Sequence, residues 1–275
     1  MMSSTLQDAA LPDAAIREDV IALASDAAAA ILGIYDSEFA VQHKDDDSPL
    51  TAADLAAHRC IVDGLARITP DIPVLSEESA HEVPTAMRRQ WSRLWLVDPL
   101  DGTREFVKRN GEFTVNIALI VDGVAVWGVV QAPVTGESWH GGAGLGAFRR
   151  DGSREIALRV RSPATAPLRV AASRSHRDAR TQAFIDRMGE TEPVGLGSSL
   201  KFCKLAEGTL DVYPRFGPTS EWDTAAGQCV LEGAGGAVLD PQGRPFRYNQ
   251  RERILNGDFI GLGDVGLPWR QWMAG

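Results

Sequence analysis

The feature that most constrains this chain is an apolar run, Leu94 to Val97, that leads directly into two closely spaced carboxylates. The run predicts a buried strand, and Asp98-Pro99-Leu100-Asp101 predicts a tight turn at its end. Such a turn can bring both carboxylates and the Leu100 carbonyl oxygen onto one hard cation or a close pair of cations. Asp-Pro and Asp-Gly are also common turn pairs, so this segment alone leaves an ordinary strand end open.

The residues after the second carboxylate offer backbone N–H groups to an anion. Gly102 and Thr103 can open a helix, and the free N–H groups at a helix N-terminus form an anion site. A cation site beside an anion site indicates a phosphate.

Composition limits the partners that this chain can have. With 275 residues it is long enough for one large globular unit or for two lobes that share an interface. The net charge of −9 leaves no basic excess for many phosphates, which argues against DNA, RNA or an acidic membrane as the main partner. We expect a cytoplasmic protein, because the N-terminus lacks the pattern of a signal peptide and no apolar run approaches membrane length. Cys60, Cys203 and Cys229 are widely spaced, which favours reduced core thiols.

Hydrophobic periodicity predicts two lobes. We expect a frayed N-terminus over residues 1–12, an α+β lobe over 13–162 that carries most metal ligands, and an α/β lobe over 163–275 that completes the site. Asp122-Gly123 between two apolar runs predicts a hairpin, and residues 80 to 90 are expected to be mobile. The expected helices are 13–35, 51–68, 178–188, 200–208 and 224–233, and the expected strands include 72–75, 94–97, 113–120, 124–130, 168–172, 210–213 and 237–240.

Three further segments place an acid at an element boundary: Asp54, Glu77 and Asp223. Together with the first pair they offer oxygen ligands only, which favours Mg2+ or Mn2+ over Zn2+. Taken singly, each has another explanation, because Thr51 to Asp54 fits a capping box, Asp223 fits a helix start and Glu77-Glu78 fits a solvated charge pair. Their joint order favours one shared metal site.

Three of these segments resemble the signatures of the inositol monophosphatase superfamily, which comprises lithium-sensitive, magnesium-dependent phosphatases. The segments are Ser76 to Ser79, Trp95 to Thr103 and Trp222 to Gly227. Further stretches resemble its bacterial CysQ-type branch, the 3'(2'),5'-bisphosphate nucleotidases: residues 48–54, 108–116, 173–176, 197–203 and 213–218. The resemblance covers residues 16 to 262, roughly, and leaves the first dozen residues and the tail 264–275 without an assigned role. Ser76 stands where many members of the superfamily have Gly, as it does in the nucleotidase branch.

The resemblance implies an α/β (α+β) fold, the layered α/β/α/β sandwich of inositol monophosphatase and fructose-1,6-bisphosphatase. It also implies hydrolysis of adenosine 3',5'-bisphosphate to AMP and phosphate by in-line attack of a metal-activated water, a reaction linked to sulfate assimilation. The implied cofactors are two or three Mg2+ ions, with Mn2+ as a substitute, and the implied partner is a small nucleotide bisphosphate. The resemblance leaves open the oligomeric state and a peripheral association with the cytoplasmic face of the inner membrane.

The resemblance also assigns roles residue by residue. The first ion would be held by Glu77, Asp98 and the Leu100 carbonyl, and the second by Asp98, Asp101 and Asp223. Asp54 and Thr103, with Glu77 beside them as a third catalytic residue, would orient and deprotonate the attacking water. The residues implied in substrate binding are Glu77, Leu100, Asp101, Gly102, Thr103, Asp223 and, for the nucleotide, His176, Ser198, Lys201 and Arg215.

Two other functions remain open from the sequence. One keeps the fold and changes the substrate to inositol monophosphate or another sugar phosphate. The other is a catalytically silent phosphate-binding protein, although a chain without catalysis would have no need to retain the full set of acids together.

Overall fold

The computed structural model describes residues 11–37, 41–43, 49–172 and 179–273. In these ranges the strands form a two-stranded ribbon, a seven-stranded sheet and a five-stranded sheet. The N-terminal stretch predicted to fray falls mostly outside the described residues, and so does most of the charged loop before Pro49.

The first two helices begin where local capping signals predict. Helix α1 (Ala14–Tyr35) follows Asp13, whose carboxylate accepts a hydrogen bond from the Ile16 N–H. Helix α2 (Ala52–Ile68) follows Thr51. The other elements of this half are β1 (Val41–His43), β2 (Pro49–Thr51), β3 (Val74–Ser76), α3 (Thr85–Arg88), β4 (Arg93–Asp101), α4 (Thr103–Val107), β5 (Thr114–Val121), β6 (Val124–Gln131), β7 (Ser138–Gly142), β8 (Gly146–Asp151) and β9 (Arg154–Ala157).

Strands β3 to β9 form the seven-stranded sheet in chain order. Only the pairing of β3 with β4 is parallel, and the predicted Asp122-Gly123 hairpin joins β5 to β6. Successive residues of a strand point to opposite faces of the sheet, so the uninterrupted apolar runs of the central strands make both faces apolar. In β4, Trp95 and Val97 pack in the core under α1 and α2, whereas Leu94 and Leu96 pack in the core on the other face.

The second half alternates strands and helices, as predicted, and builds the five-stranded sheet in the order β11-β10-β12-β14-β13. Its elements are β10 (Leu168–Ala172), α5 (Ala179–Asp186), β11 (Thr191–Gly195), α6 (Leu200–Ala206), β12 (Val212–Arg215), α7 (Trp222–Gly233), β13 (Ala237–Leu239), β14 (Phe259–Leu262) and α8 (Trp269–Met273). Strands β11 and β14 and helix α8 were not among the predicted elements, because their short runs carry little periodicity.

Helices α6 and α7 lie between the two sheets. Phe202 of α6 and Val230 of α7 pack in one core with Leu96 of the first sheet and Phe259 of the second. The outer face of the five-stranded sheet is covered by α5 and α8, through residues such as Phe184 and Trp269. The layered α/β/α/β sandwich is therefore confirmed, and α5 with α8 adds a further thin layer.

One prediction about the first half of the chain is wrong. Residues 80 to 90, expected to be mobile, contain the end of a 3-10 helix (Glu77–Glu82) and helix α3. The Arg88 side chain anchors this stretch, because it is 1% exposed and donates to the Asn249 side chain. A lobe boundary at residues 162/163 stays a prediction.

Candidate metal and phosphate site

The two carboxylates after the apolar run share one face of β4 because the strand contains a bulge. Asp98 is paired with Asn116 and Asp101 with Thr114, so three steps along β4 oppose two steps along β5. In a regular strand, residues three apart point to opposite faces. The one extra residue that the bulge adds to β4 turns Asp101 to the same face as Asp98. The predicted turn is thus a bulge inside a longer strand, with the same consequence for the acids.

Asp98 lies at the centre of a group of acids. Its side chain is 2% exposed, and Oδ1 accepts a hydrogen bond of 3.0 Å from the Leu100 N–H. Burial raises the pKa of Asp98 well above its ordinary value, and the charges of Glu77, Asp101 and Asp223 raise it further. The pKa of Asp223 is raised for the same reasons: burial first, then the charges of Asp101 and Glu77. The four acids are therefore close enough to repel one another.

Glu77 reaches this group from the edge of the sheet. It is the first residue of the 3-10 helix that follows β3, and β3 is the parallel neighbour of β4. The carboxyl ends of two parallel strands meet at one sheet edge, which places Glu77 beside Asp98.

Asp54 and Thr103 form the pair that the sequence suggested. The Thr103 hydroxyl lies 3.1 Å from Asp54 Oδ1 and 3.2 Å from the Leu100 carbonyl oxygen, and it can donate its proton to either. Asp54 Oδ2 accepts from both the backbone N–H and the hydroxyl of Thr51. The capping-box explanation is therefore confirmed through Asp54 Oδ2, while Asp54 Oδ1 is the oxygen that accepts from Thr103.

Asp101 and Asp223 are bridged by Ser199, to which the sequence analysis assigned no role. The Ser199 hydroxyl lies 2.7 Å from Asp101 Oδ2 and 2.8 Å from the Asp223 carbonyl oxygen, and the Ser199 N–H also donates to Asp101. Asn116 donates to Asp101 and to Ser199 from β5. Both residues lie inside motifs that carried the resemblance, so position within a motif was the available signal.

Gly102 makes the transition from β4 to α4 possible. Its φ is +92°, a backbone conformation that residues with a side chain rarely adopt. A Cβ atom there would also lie 3.2 Å from the Glu112 carbonyl oxygen. The chain can therefore turn directly from the bulge into the first turn of α4, next to the acids.

A cleft of about 660 Å³, open to solvent, is lined by Asp101 and Asp223 and also by two cations, Lys201 and Arg215. Lys201 is 6% exposed, and its ammonium donates to the Ser198 carbonyl oxygen at 2.8 Å. Burial is the main reason that the pKa of Lys201 is lowered to about 8; the charge of Asp101 opposes this shift, and the charge of Arg215 adds to it. Arg215 also lines the cleft and donates to the Pro218 carbonyl oxygen, while its Nε atom is buried without a hydrogen-bond partner. Ser198 has a φ of +43° in the turn before α6.

The structure thus brings together all but one of the residues singled out from the sequence. Asp54, Thr103, Asp98, Leu100 and Glu77 lie on one side of the site. Asp101 and Gly102 line the cleft with Asp223, Ser198, Lys201 and Arg215. His176 lies outside the described residues.

The donor set fits a hard divalent cation, although the side chains are not yet arranged around one. Over the described ranges, no three His, Cys, Asp or Glu side chains form a group ready to hold a metal ion. Asp101 and Asp223 each use one carboxylate oxygen to accept from a backbone N–H, of Ser199 and of Ser220, so the other oxygen of each is the one that can bind an ion. Mutually repelling buried carboxylates with oxygen donors only are what such an ion would stabilise.

None of the helices in the described ranges is long and apolar enough to cross a membrane.

Comparisons with known proteins match nearly the whole chain. The model of the inositol monophosphatase family matches residues 14–261. The chain is 50% identical over 246 residues to the 3'(2'),5'-bisphosphate nucleotidase CysQ of Salmonella typhimurium, covering 88% of this chain and 97% of that protein. It is 50% identical over 244 residues to the CysQ of Escherichia coli K12, with the same coverage.

Solved structures lead to the same family. The crystal structure of CysQ from Bacteroides thetaiotaomicron matches with a TM-score of 0.78 at 40% identity, covering 89% of this chain and 96% of that one. The IMPase of Thermotoga maritima matches with a TM-score of 0.75 at 27% identity, covering 93% and 94%. With its acids gathered beside a cleft on this fold, the chain belongs to the inositol monophosphatase family.

Proposed function

We propose that this protein is a phosphatase that hydrolyses adenosine 3',5'-bisphosphate to AMP and phosphate with the help of Mg2+. The names of its 50% identical relatives, 3'(2'),5'-bisphosphate nucleotidases, support this substrate class. Dependence on a metal is general for the inositol monophosphatase family. The identity of the ion as Mg2+, and the number of two or three ions, belong to the proposal.

The observation that carries the proposal is the bulge in β4, which sets Asp98 and Asp101 on one face beside the Asp54 to Thr103 hydrogen bond. Glu77, Asp98 and the Leu100 carbonyl oxygen would hold one ion, and Asp98, Asp101 and Asp223 another. A divalent ion in such a position supplies positive charge for the phosphate oxygens and for an attacking water.

The chain itself would orient the nucleophile. Asp54 accepts the Thr103 proton, so the Thr103 oxygen can keep a lone pair toward the cleft and accept a hydrogen bond from a water. The carboxylate of Asp54 is fixed by Thr51 on its other oxygen, so the pair cannot swing away from this alignment. Proton transfer from that water through the Thr103 hydroxyl would end on Asp54 Oδ1.

The cations across the cleft would bind the part of the substrate that is not hydrolysed. Lys201 and Arg215 line the same cleft as Gly102 and the acids, so a second phosphate on the same ligand could pair with them while the first lies against the acids. A sugar phosphate with a single phosphate group would leave this side without an anion. A bisphosphate therefore uses more of the cleft than a monophosphate does.

The test is a substrate panel measured as phosphate release in Mg2+, in EDTA, and in Mg2+ with Li+. We expect adenosine 3',5'-bisphosphate to have a kcat/KM at least tenfold above that of inositol 1-phosphate, roughly the discrimination of one well-placed ionic contact. Activity should be absent in EDTA. A higher kcat/KM on inositol 1-phosphate would refute the nucleotide assignment, and turnover of no phosphomonoester would refute catalysis.

A further inference from the structure

The loop before β14 holds the start of α7, the helix that carries Asp223. The side-chain amide of Asn256 donates to the Ser220 carbonyl oxygen at 2.8 Å and to the Thr224 hydroxyl at 2.9 Å. The Glu221 N–H donates to the Ile254 carbonyl oxygen at 3.0 Å. Asp223 is therefore flanked on both sides by residues tied to this loop.

Glu221 connects the same loop to the helix through a buried carboxylate. It is the residue that precedes α7, it is 0% exposed, and its side chain makes no capping hydrogen bond to the helix. Oε2 instead accepts from the Asn249 N–H at 2.6 Å, and Oε1 accepts from Arg251 at 2.8 Å. A fully buried charge is tolerated only with such partners, so Glu221 fixes the loop and the helix start to each other.

Asn249, which donates its N–H to Glu221, also forms hydrogen bonds with Arg88. Its φ is +55°, a left-handed conformation that is uncommon outside glycine and best tolerated by Asn. Its side chain accepts from Arg88 Nη1 at 2.9 Å and donates to the Arg88 carbonyl oxygen. The Arg88 guanidinium also donates to the carbonyl oxygens of Arg251 and Glu252.

Arg88 belongs to the same segment as Glu77, the second acid whose position matters here. It ends α3, which follows the 3-10 helix whose first residue is Glu77. Hydrogen bonds therefore run from the Glu77 segment through Arg88, Asn249 and Glu221 to the start of α7. None of these three residues lines the cleft.

We infer that Arg88, Asn249 and Glu221 form a positioning unit that sets the separation between Glu77 and Asp223, and with it the affinity of the site for divalent cations. The inference rests on the metal-binding role proposed for those two acids. The three residues are not catalytic, because they act through the backbone of the segments that carry the acids. Hydrogen-bonded supports of this kind typically change metal affinity by 10 to 100-fold when they are altered.

The test compares Glu221→Gln with Asp211→Asn in the full-length protein. The two acids are a matched pair: each is 0% exposed, each pairs with arginine, and each accepts from one backbone N–H. Asp211 lies at the start of β12, away from the carboxylates of the site. Mn2+ affinity is measured by isothermal titration calorimetry without substrate, and the melting temperature is measured without metal.

We expect both variants to lower the melting temperature, and only Glu221→Gln to raise the Kd for Mn2+, by about tenfold or more. In activity assays the same variant should need more Mg2+ for half-maximal rate, while kcat at saturating Mg2+ stays near wild type. An unchanged Kd in Glu221→Gln, or an equal rise in Asp211→Asn, would overturn the inference. So would a wild-type chain that binds no Mn2+.

A second variant, Arg88→Lys, keeps the charge and removes the forked guanidinium, so it should raise the Kd in the same direction. It decides the question if Glu221→Gln does not fold. The calorimetry needs no substrate, so a weakened Mn2+ affinity together with inactivity on every phosphomonoester would refute the proposed function and leave the positioning unit standing.

Discussion

Two regions of this molecule bury carboxylates in opposite ways. Asp211, just before the central strand β12 of the five-stranded sheet, is fully buried and pairs with the guanidinium groups of Arg161 and Arg169. Asp98 and Asp223 are also buried, but the strongest charges acting on them come from other acids. In the described part of the chain, neither of these two forms an ion pair with a lysine or arginine.

The difference shows where each charge is compensated. The arginines beside Asp211 are part of the chain, so that charge is balanced once the protein folds. The acids of the cleft raise one another's pKa, and at Asp223 the charge of Arg215 opposes this by less than the acids contribute, so we expect further balancing charge to come from solution. A site that is left uncompensated by its own sequence is a site for a cation, and the following experiments can break or sharpen that contrast.

The largest expected effect is the loss of activity in Asp98→Asn. Amide oxygen can still accept from the Leu100 N–H, so the fold should persist, while the charge shared by the two proposed ion positions is lost. We expect kcat on adenosine 3',5'-bisphosphate to fall by about 1000-fold or more. Steady-state phosphate release at saturating Mg2+ measures it, with far-UV circular dichroism as the control for folding. Turnover within tenfold of wild type would contradict the metal role of Asp98.

The contrast between the two regions predicts stability changes of opposite sign in metal-free protein. Asp211→Asn removes the negative charge that pairs with Arg161 and Arg169, so it should lower the free energy of unfolding by about 3 kcal/mol. Asp98→Asn removes a charge that its neighbours repel and should raise it by about 1 kcal/mol. Urea unfolding in EDTA at pH 7 measures both. If both variants are destabilised equally, the negative charges of the cleft acids are balanced by positive groups of the chain itself, which contradicts the contrast.

Glu232 is a third kind of acid, only partly buried, whose carboxylate accepts from the side-chain amide of Gln228 at 2.8 Å. Burial raises its pKa from 4.5 to about 7. Between these values the folded chain keeps a proton that the unfolded chain has lost, so the stability of the wild type falls as pH rises through this window. Glu232→Gln should therefore be more stable than wild type by about 2 kcal/mol at pH 8 and equal to it near pH 4.5. A difference that does not depend on pH would show that Glu232 is not the group responsible.

The smallest expected effect concerns the cation across the cleft. Because the pKa of Lys201 is lowered to about 8, its ammonium loses charge in the folded protein as pH rises past that value. The KM for the bisphosphate should then rise by about tenfold between pH 7 and pH 9. The folded chain releases this proton before the unfolded chain does, so stability should increase over the same range.

Lys201→Arg is the matched variant for that prediction, because arginine stays charged and its KM should not depend on pH in this range. Inositol 1-phosphate serves as a control substrate, since it has no second phosphate for the cation. The same pH dependence in Lys201→Arg would assign the effect to another group.

Much of this architecture follows from local signals. Asp13 and Thr51 predict the starts of α1 and α2 because a capping hydrogen bond is made within a few residues. The Asp122-Gly123 hairpin follows from two residues that adopt positive φ readily. The acids of the site could be chosen from their order along the chain, together with the resemblance of their motifs to a known family.

Other features depend on partners far away in the sequence. The ordered stretch of residues 80 to 90 was predicted to be mobile, because its anchor Asn249 lies 161 residues beyond Arg88. The hydrogen bonds of Ser199 likewise depend on Asp101 of β4 and Asp223 of α7, which are distant from it in the sequence.

The amino-acid sequence by itself determined which oxygen-bearing side chains were candidates for holding a cation and where the longer helices and strands lie, since both depend on residue type and on near neighbours. The tertiary structure decided that Asp98 and Asp101 share one face, because that depends on the bulge created by the pairing of β4 with β5. It also decided which buried acids meet arginine and which meet only one another. Those contacts depend on distances between residues in the folded core, and the spacing of residues along the chain does not specify these distances.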